Sequence, residues 1–551
     1  VFVLHAHLPW VLGHGEWPHG QAWLHEAAAE CYIPLLRMMD RLTADGRSPR
    51  ITIGLTPVLA EMLVSRKFEK DFTAYLAAQV SKAERDRGDL AALGDKIPTG
   101  LTERWATFYR DVRRDFNETY GRDIVGALRR LQTDGHIEVI TSAATHGYLP
   151  LLGRDEAVDA QIRAGVATYR RHFGIAPRGI WLPECAYRPA YEWSRPVGPP
   201  RRFARKGVES FLARHGLRYF FVDTHLVAGG AALGTYGDRI EGPTSAESRP
   251  ATGLPTHVAY AVLDRTSRRR VAVLARDPKS SVQVWSADYG YPGDGAYLEF
   301  HRKKGPAGLR YWRITDRHLP LDDKIVYDPS AAASRVRAHA DHFLHTVRET
   351  LSRHWNETGR AGVVVAPFDA ELFGHWWFEG PNWLEAVIRG LGKDVAAVTA
   401  SEFLLQQPPR SVIALPEGSW GQGGHHWVWL NENTQWIWER VYAAEDAFLD
   451  LIKSAGRGRD ALTRRLLVQL ARELLLLESS DWPFLVTTVS ARDYSEARVQ
   501  LHWETFQRLL DMARRAEGGP LPANELAWLT DVESRDGPFP DIDLRWWAGS
   551  G

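Results

Sequence analysis

The sequence predicts an α/β fold of 551 residues, in which a parallel strand-and-helix barrel carries a helical insertion and is followed by a helical C-terminal domain. Three observations predict it. Short apolar runs of strand length recur, alternate with helical stretches, and end in polar or charged tips. Between two of them, residues 65–128 turn charged and helical and run too long for an ordinary crossover. From about Pro416 the strand-like runs stop and long amphipathic stretches take over.

The opening VFVLHAHLP reads as a strand whose period-two spacing puts His5 and His7 on one face. With His146 such a pair has the makings of a metal site. No HExxH, CxxC or acidic triad completes it, so the histidines read as hydrogen-bonding groups at the barrel mouth and no metal is expected. RITIGLT (50–56) is a second strand, followed by a helix from Pro57. Within 65–128, apolar residues recur every three to four positions, as amphipathic helices require. HIEVITSAATHGYLPLL (136–152) is a third strand, tipped by Thr145 and His146, and residues 156–172 are helical.

GIWLPECAYRPAYEW (179–193) is the stretch around which the chain is organised. A buried apolar run ending in Pro-Glu presents Glu184 at the strand's C-terminal tip, where barrels keep their catalytic groups. The ordinary alternative is a glutamate that caps the next element or pairs with Arg188. RKGVESFLARHG is helical and LRYFFVD is a strand. LVAGGAALGTYGD (226–238) is a glycine-dense loop around Tyr236, which reads as a lid or as ordinary surface loop. VAVLAR ends in Arg276 and leads to Trp285 and a turn around Gly293; residues 331–353 are helical. GVVVAPFDAELFGHWW (362–377) repeats the pattern of an apolar run, a proline and carboxylates, here Asp369 and Glu371. VAAVT (395–399) makes an eighth candidate strand, and the residues alone leave seven or eight staves open.

The C-terminal part begins with a Trp/Gly-rich connector holding Trp420 and Trp429. Three helices near 434–455, 459–478 and 493–516 follow, with SSDWPF, and so Asp481, on a loop between the last two. The Pro/Gly-rich tail is expected to lie extended on the surface. This divides the chain into 1–64 with 129–415 (barrel), 65–128 (insertion) and 416–551 (C-terminal domain).

Composition narrows the chemistry. Lys+Arg and Asp+Glu are both 68, which argues against nucleic-acid or anionic-membrane partners. Two cysteines imply no disulfide framework, and with no signal-peptide start or membrane-length apolar run a cytoplasmic location is expected. The 22 tryptophans stand out, many in Gly/Pro-flanked loops. Packing explains most of them; aromatic platforms for flat apolar ligand faces, such as those of sugars, explain the loop cluster better. Two strand-tip carboxylates, Glu184 and Asp369, among stacking aromatics are what glycosidic bond cleavage requires. A serine nucleophile elbow and the phosphate-binding glycine motifs are both missing from the sequence.

HAHLPW (5–10), ATHGYLPLL (144–152), WLPECAYRP (181–189) and APFDAELFGHWW (366–377) resemble, in order, the signature regions of glycoside hydrolase family 57. The connector and SSDWPF resemble the C-terminal regions of its α-1,4-glucan branching members. The resemblance covers nearly the whole chain. It implies a distorted seven-stranded (β/α) barrel and a retaining mechanism, with chain transfer to a 6-hydroxyl to form an α-1,6 branch. Glu184 matches the nucleophile and Asp369 the general acid/base, and retention calls for carboxyls about 5–5.5 Å apart. His5, His7 and His146 match histidines around the first sugar subsite. Arg276, Trp285, Gly293, Trp420, Trp429 and Asp481 match the glucan groove, and Tyr236 the aromatic of a mobile loop. Trp10 stands where many members have tyrosine. The expected partner is an α-glucan such as amylose or glycogen, with no cofactor; a monomer is expected, although no residue pattern sets the oligomeric state. The competing readings are an amylase or 4-α-glucanotransferase of the same family, a metal-dependent deacetylase on the His5/His7 pair, and a non-catalytic glucan binder.

Overall fold

The computed structural model describes residues 1–92, 97–229, 252–286, 289–304, 308–454, 460–516 and 519–547. Ten strands occur among them: β1 (Phe2–Ala6), β2 (Ile51–Leu55), β3 (Ile137–Ser142), β4 (Gly179–Trp181), β5 (Tyr191–Ser194), β6 (Arg202–Arg205), β7 (Tyr219–Val222), β8 (Tyr260–Leu263), β9 (Arg270–Ala275) and β10 (Ala366–Asp369). Eight form one sheet in the order β10-β1-β2-β3-β4-β7-β9-β8, and all but the β8–β9 pair run parallel. The runs of β1 to β3 and β7 are buried along their whole length, because helices cover one face and the barrel core fills the other.

This is a seven-stranded parallel barrel with a reason for its distortion. Antiparallel β8 occupies the edge of β9 that a closed ring would offer to β10. Among the described residues only isolated bonds cross the gap: Asp277 N–H donates to the Val365 carbonyl at 2.9 Å, and Val363 N–H to that of His257 at 2.9 Å. VAAVT is not the eighth strand. Thr399 closes a capping box with Glu402 at the start of helix Ala400–Gln406, so local capping draws that run into a helix entry. The eighth strand is β8, whose short run reveals itself only by pairing with β9. The β5–β6 hairpin also went unread.

The register matters most for function. β1 and β10 pair with His5 beside Asp369, and β3 and β4 pair with Ser142 beside Trp181. The tips that follow β1, β3, β4, β7, β9 and β10 therefore gather at one end of the barrel, the C-terminal one. Helices Arg66–Ala92 and Thr99–Arg114 fill the long crossover, and Phe68 and Phe72 of the first pack on Phe116 in the helical turn Asp115–Thr119 that continues the second.

After the connector come helices Gln435–Ser454, Ala461–Leu477, Asp481–Thr487, Arg492–Ala516 and Ala523–Arg535. Two expectations change here. Asp481 opens a short helix instead of lying on a loop, and the tail is not extended: it folds as Ala523–Arg535, entered after Pro522. No helix among the described residues is long and apolar enough to cross a membrane.

Candidate active site

The tips enclose a cavity of about 200 Å³. Its wall holds His5, His7, His146, Glu184, Trp285 and Asp369 from the barrel, and Trp420, Trp429 and Asp481 from beyond it. Glu184 follows β4 in a tight turn, with Glu184 at φ 60° and Cys185 at φ 49°. Its two carboxyl oxygens each accept one hydrogen bond. The Trp420 indole N–H donates to Oε2 at 2.9 Å, and the Ser480 hydroxyl donates to Oε1 at 3.0 Å. Burial pushes this carboxyl up to about 7 and nearby Asp481 adds to the rise, while the Trp420 and Ser480 bonds and His7 oppose it.

Asp369 ends β10, and its carboxyl has no hydrogen-bond partner among the described residues. Burial raises it well above the usual carboxylate range, and the neighbouring Glu371 and Glu184 add to the rise, against Arg276. The two carboxyls thus differ in kind: one is held by donors that favour its charged form, while the other is pushed toward its protonated form and has no hydrogen-bond partner among the described residues.

The histidines form a directed network. Because the Ser480 proton goes to Glu184, its oxygen accepts from His146 Nδ1–H at 2.9 Å. That makes His146 Nε2 the acceptor of His5 Nε2–H, at 3.0 Å. Burial holds both rings well below their usual range, so both are neutral. His7 differs: burial opposes its charge, but Asp481, hydrogen-bonded at 2.9 Å, with Glu184 and Glu371, raises it. Its Nδ1 meets Thr56 Oγ1 at 3.0 Å. His7, His146 and Asp481 bring ligand atoms within 4.8 Å of one another, the nearest approach to a cation site here. Both nitrogens of His7 and of His146 are already engaged in hydrogen bonds.

The aromatic wall is tightly set. Trp429 stacks on Tyr148 at 4.4 Å between centroids, and Gly421 passes so close beneath that an added Cβ would lie 2.5 Å from the ring. Trp420 meets Trp181 and Trp285 edge-on at 5.1 and 6.2 Å, and Trp285 N–H donates to the Pro367 carbonyl at 3.2 Å.

Not every expected residue reaches the cavity. Arg276 is buried beside it: its Nε donates to Asp223 at 2.7 Å, and both terminal nitrogens lack protein partners among the described residues. Gly293 lies in the turn Tyr291–Gly293, off the cavity wall. Tyr236 lies outside the described residues. Two participants were missed. Ser480 is 296 positions from Glu184, and only the packed C-terminal helices bring it there. Glu371 was visible as the second carboxylate of APFDAEL; it lines the cavity and accepts from Tyr32 O–H at 2.5 Å and from His7 N–H at 3.1 Å.

Residues 1–416 match the model of glycosyl hydrolase family 57, and residues 440–547 that of the 1,4-alpha-glucan branching enzyme C-terminal region. A 1,4-alpha-glucan branching enzyme of Thermococcus kodakarensis is 45% identical over 98% of this chain and 77% of its own. The crystal structure of the branching enzyme of Pyrococcus horikoshii superposes with a TM-score of 0.89 at 40% identity, covering 100% of this chain and 96% of that one. The alpha-amylase AmyC of Thermotoga maritima gives a TM-score of 0.81 at 32% identity, covering 100% of this chain and 99% of its own. On the family match over three-quarters of its length, and on these relatives, the chain belongs to glycosyl hydrolase family 57.

Proposed function

We infer that this chain is a 1,4-alpha-glucan branching enzyme. The observation that carries the reading is the pair Glu184 and Asp369 in one cavity whose wall is completed by Trp420 and Trp429 of the connector and by Asp481, which lies in the region matching the branching-enzyme C-terminal model.

Glu184 acts as the nucleophile. Its charged form, kept by the Trp420 and Ser480 donors, attacks the anomeric carbon of a glucosyl unit held against the tryptophans. Asp369, protonated, gives its proton to the departing glycosidic oxygen, and a covalent glucosyl-enzyme remains. In the second half Asp369 takes the proton from the incoming 6-hydroxyl, whose oxygen displaces Glu184 with a second inversion. His7, whose hold on a proton is strengthened by Asp481, Glu184 and Glu371 against burial, offsets carboxylate charge in the first subsite when protonated. Transfer outruns hydrolysis to the extent that the apolar wall keeps water from the intermediate and orients the acceptor.

The test is amylose digestion followed by proton NMR for α-1,6 anomeric signals, beside a reducing-end assay. New branches with few reducing ends, lost in Glu184→Gln, are expected. Reducing ends without branches would favour a second reading, hydrolysis, which the likeness to the Thermotoga alpha-amylase keeps in view.

A further inference from the structure

We propose that Trp376 and Phe300 form a glucan-stacking subsite outside the cavity, seating the chain on the leaving-group and acceptor side of the bond. This rests on the reading of the chain as a glucan-acting transferase. GHWWFEGPNW contains three tryptophans with opposite fates: Trp377 and Trp383 are 1% and 0% exposed, whereas Trp376 is 51% exposed. A single exposed aromatic is ordinary, but this one is half of a built pair. Its ring lies 4.2 Å from that of Phe300 at 31°, so an aromatic covers one side while half of the side chain stays exposed. Its indole N–H has no protein partner among the described residues. A sugar ring offers the complement, an apolar C–H face to stack and hydroxyls to accept from the indole.

The pair is held from behind. Arg310 donates to the His375 carbonyl at 3.0 Å and to Glu30 at 2.8 Å; His375 Nδ1 meets Glu30 at 2.8 Å. The His375 ring and the Arg310 guanidinium both pack on Phe300, at 4.9 and 5.6 Å. A platform fixed before a ligand arrives loses little entropy on binding.

Continuity with the site assigns the occupant. Asp369 ends β10, Glu371 and Trp376 follow on the loop after it, and the Trp376 backbone N–H meets the Glu371 carbonyl at 3.4 Å. Side-chain lengths then bound the indole to within about 15 Å of the cavity wall, a few glucosyl units away. The loop is the one that follows the proton donor, and the donor serves the leaving oxygen. The platform therefore belongs to the leaving and acceptor chain.

The experiment compares wild type, Trp376→Ala, Trp376→Phe and Phe300→Ala in native gels containing dissolved amylose, and measures branching KM on long amylose against maltoheptaose. Trp376→Ala is expected to weaken glucan retardation at least threefold and to raise KM for amylose at least fivefold more than for maltoheptaose. Trp376→Phe recovers most of both. Unchanged retardation and an unchanged KM ratio overturn the subsite, as does an equal loss on long and short substrates. A wild type that binds glucan without branching it, with binding lost in Trp376→Ala, supports the subsite and overturns the function. A wild type that no glucan retards overturns both.

Discussion

Glu184 occupies a left-handed backbone conformation that costs a non-glycine residue on the order of 1–3 kcal/mol, and His146, opposite it, does the same at φ 59°. Packing that tolerates such turns aims the carboxyl at Trp420 and Ser480 and the imidazole at Ser480. The pH dependence follows. Glu184 must be charged and Asp369 protonated, so kcat/KM should climb as pH rises through about 7 and fall again where Asp369 ionises. The Ser480 bond favours the charged form of Glu184. Ser480→Ala should therefore raise that pKa and move the acid limb to higher pH by about one to two units, the worth of one hydrogen bond to a charged group. A pH–rate profile checks it: a uniform drop at every pH would mean that Ser480 only supports the fold, and Ser480→Thr should restore the limb. Glu184→Gln should lose at least about a thousandfold in kcat at every pH, read by branch formation.

At the scale of elements, the loop after β10 shows how backbone geometry serves the site. Gly374 has φ 107°, and a Cβ there would lie 1.8 Å from the Glu30 carbonyl oxygen. Gly374→Ala must push this loop off helix and barrel, with an expected loss of about 2–5 kcal/mol in calorimetric or denaturant unfolding. Gly46→Ala, at φ 71° with nothing within 4 Å, should cost only about 1–2 kcal/mol. A Gly374→Ala loss no larger than that of Gly46→Ala would mean that the close approach is not structural. The same scale shows what was legible in the sequence. β1, β4 and β10 were readable because an apolar run and its polar tip are adjacent in the chain. VAAVT misled because the Thr399–Glu402 capping box, also local, overrides a short β-prone run. β8 and the β5–β6 hairpin were not readable as such, since each is a run of four residues defined by pairing with its neighbour, and the hairpin, mostly exposed, shows no apolar run. Glu184 and Asp369 were found from their strand tips; Ser480 was not, because nothing within SSDWPF says that its hydroxyl meets a carboxylate 296 positions away.

For the whole molecule, the question is whether the C-terminal helices are a removable domain. One apolar cluster runs from Phe2 to Trp547 and takes in barrel strands and C-terminal helices alike. Buried polar bonds cross the junction: Gln161 to Glu478 at 2.8 Å, Gly153 N–H to Glu445 at 3.0 Å, and Tyr442 O–H to the Leu151 carbonyl at 3.0 Å. The tail closes on the segment that follows β1, through the Trp10 indole N–H to the Arg535 carbonyl at 3.1 Å and His14 to Asp536 at 2.5 Å. Cutting these leaves buried donors and acceptors unpaired, at about 1–3 kcal/mol each, beyond the exposed apolar area. It also removes both donors from Glu184 if the cut precedes Trp420, and Ser480 if it falls later. We therefore expect the full chain to unfold in a single calorimetric transition. A truncation after Asn431 should yield protein that does not fold and lacks hydrolysis as well as branching. Two resolved transitions, or a soluble truncated barrel that still cleaves amylose, would show that the barrel stands alone and that the C-terminal helices add only the choice between water and a glucan acceptor.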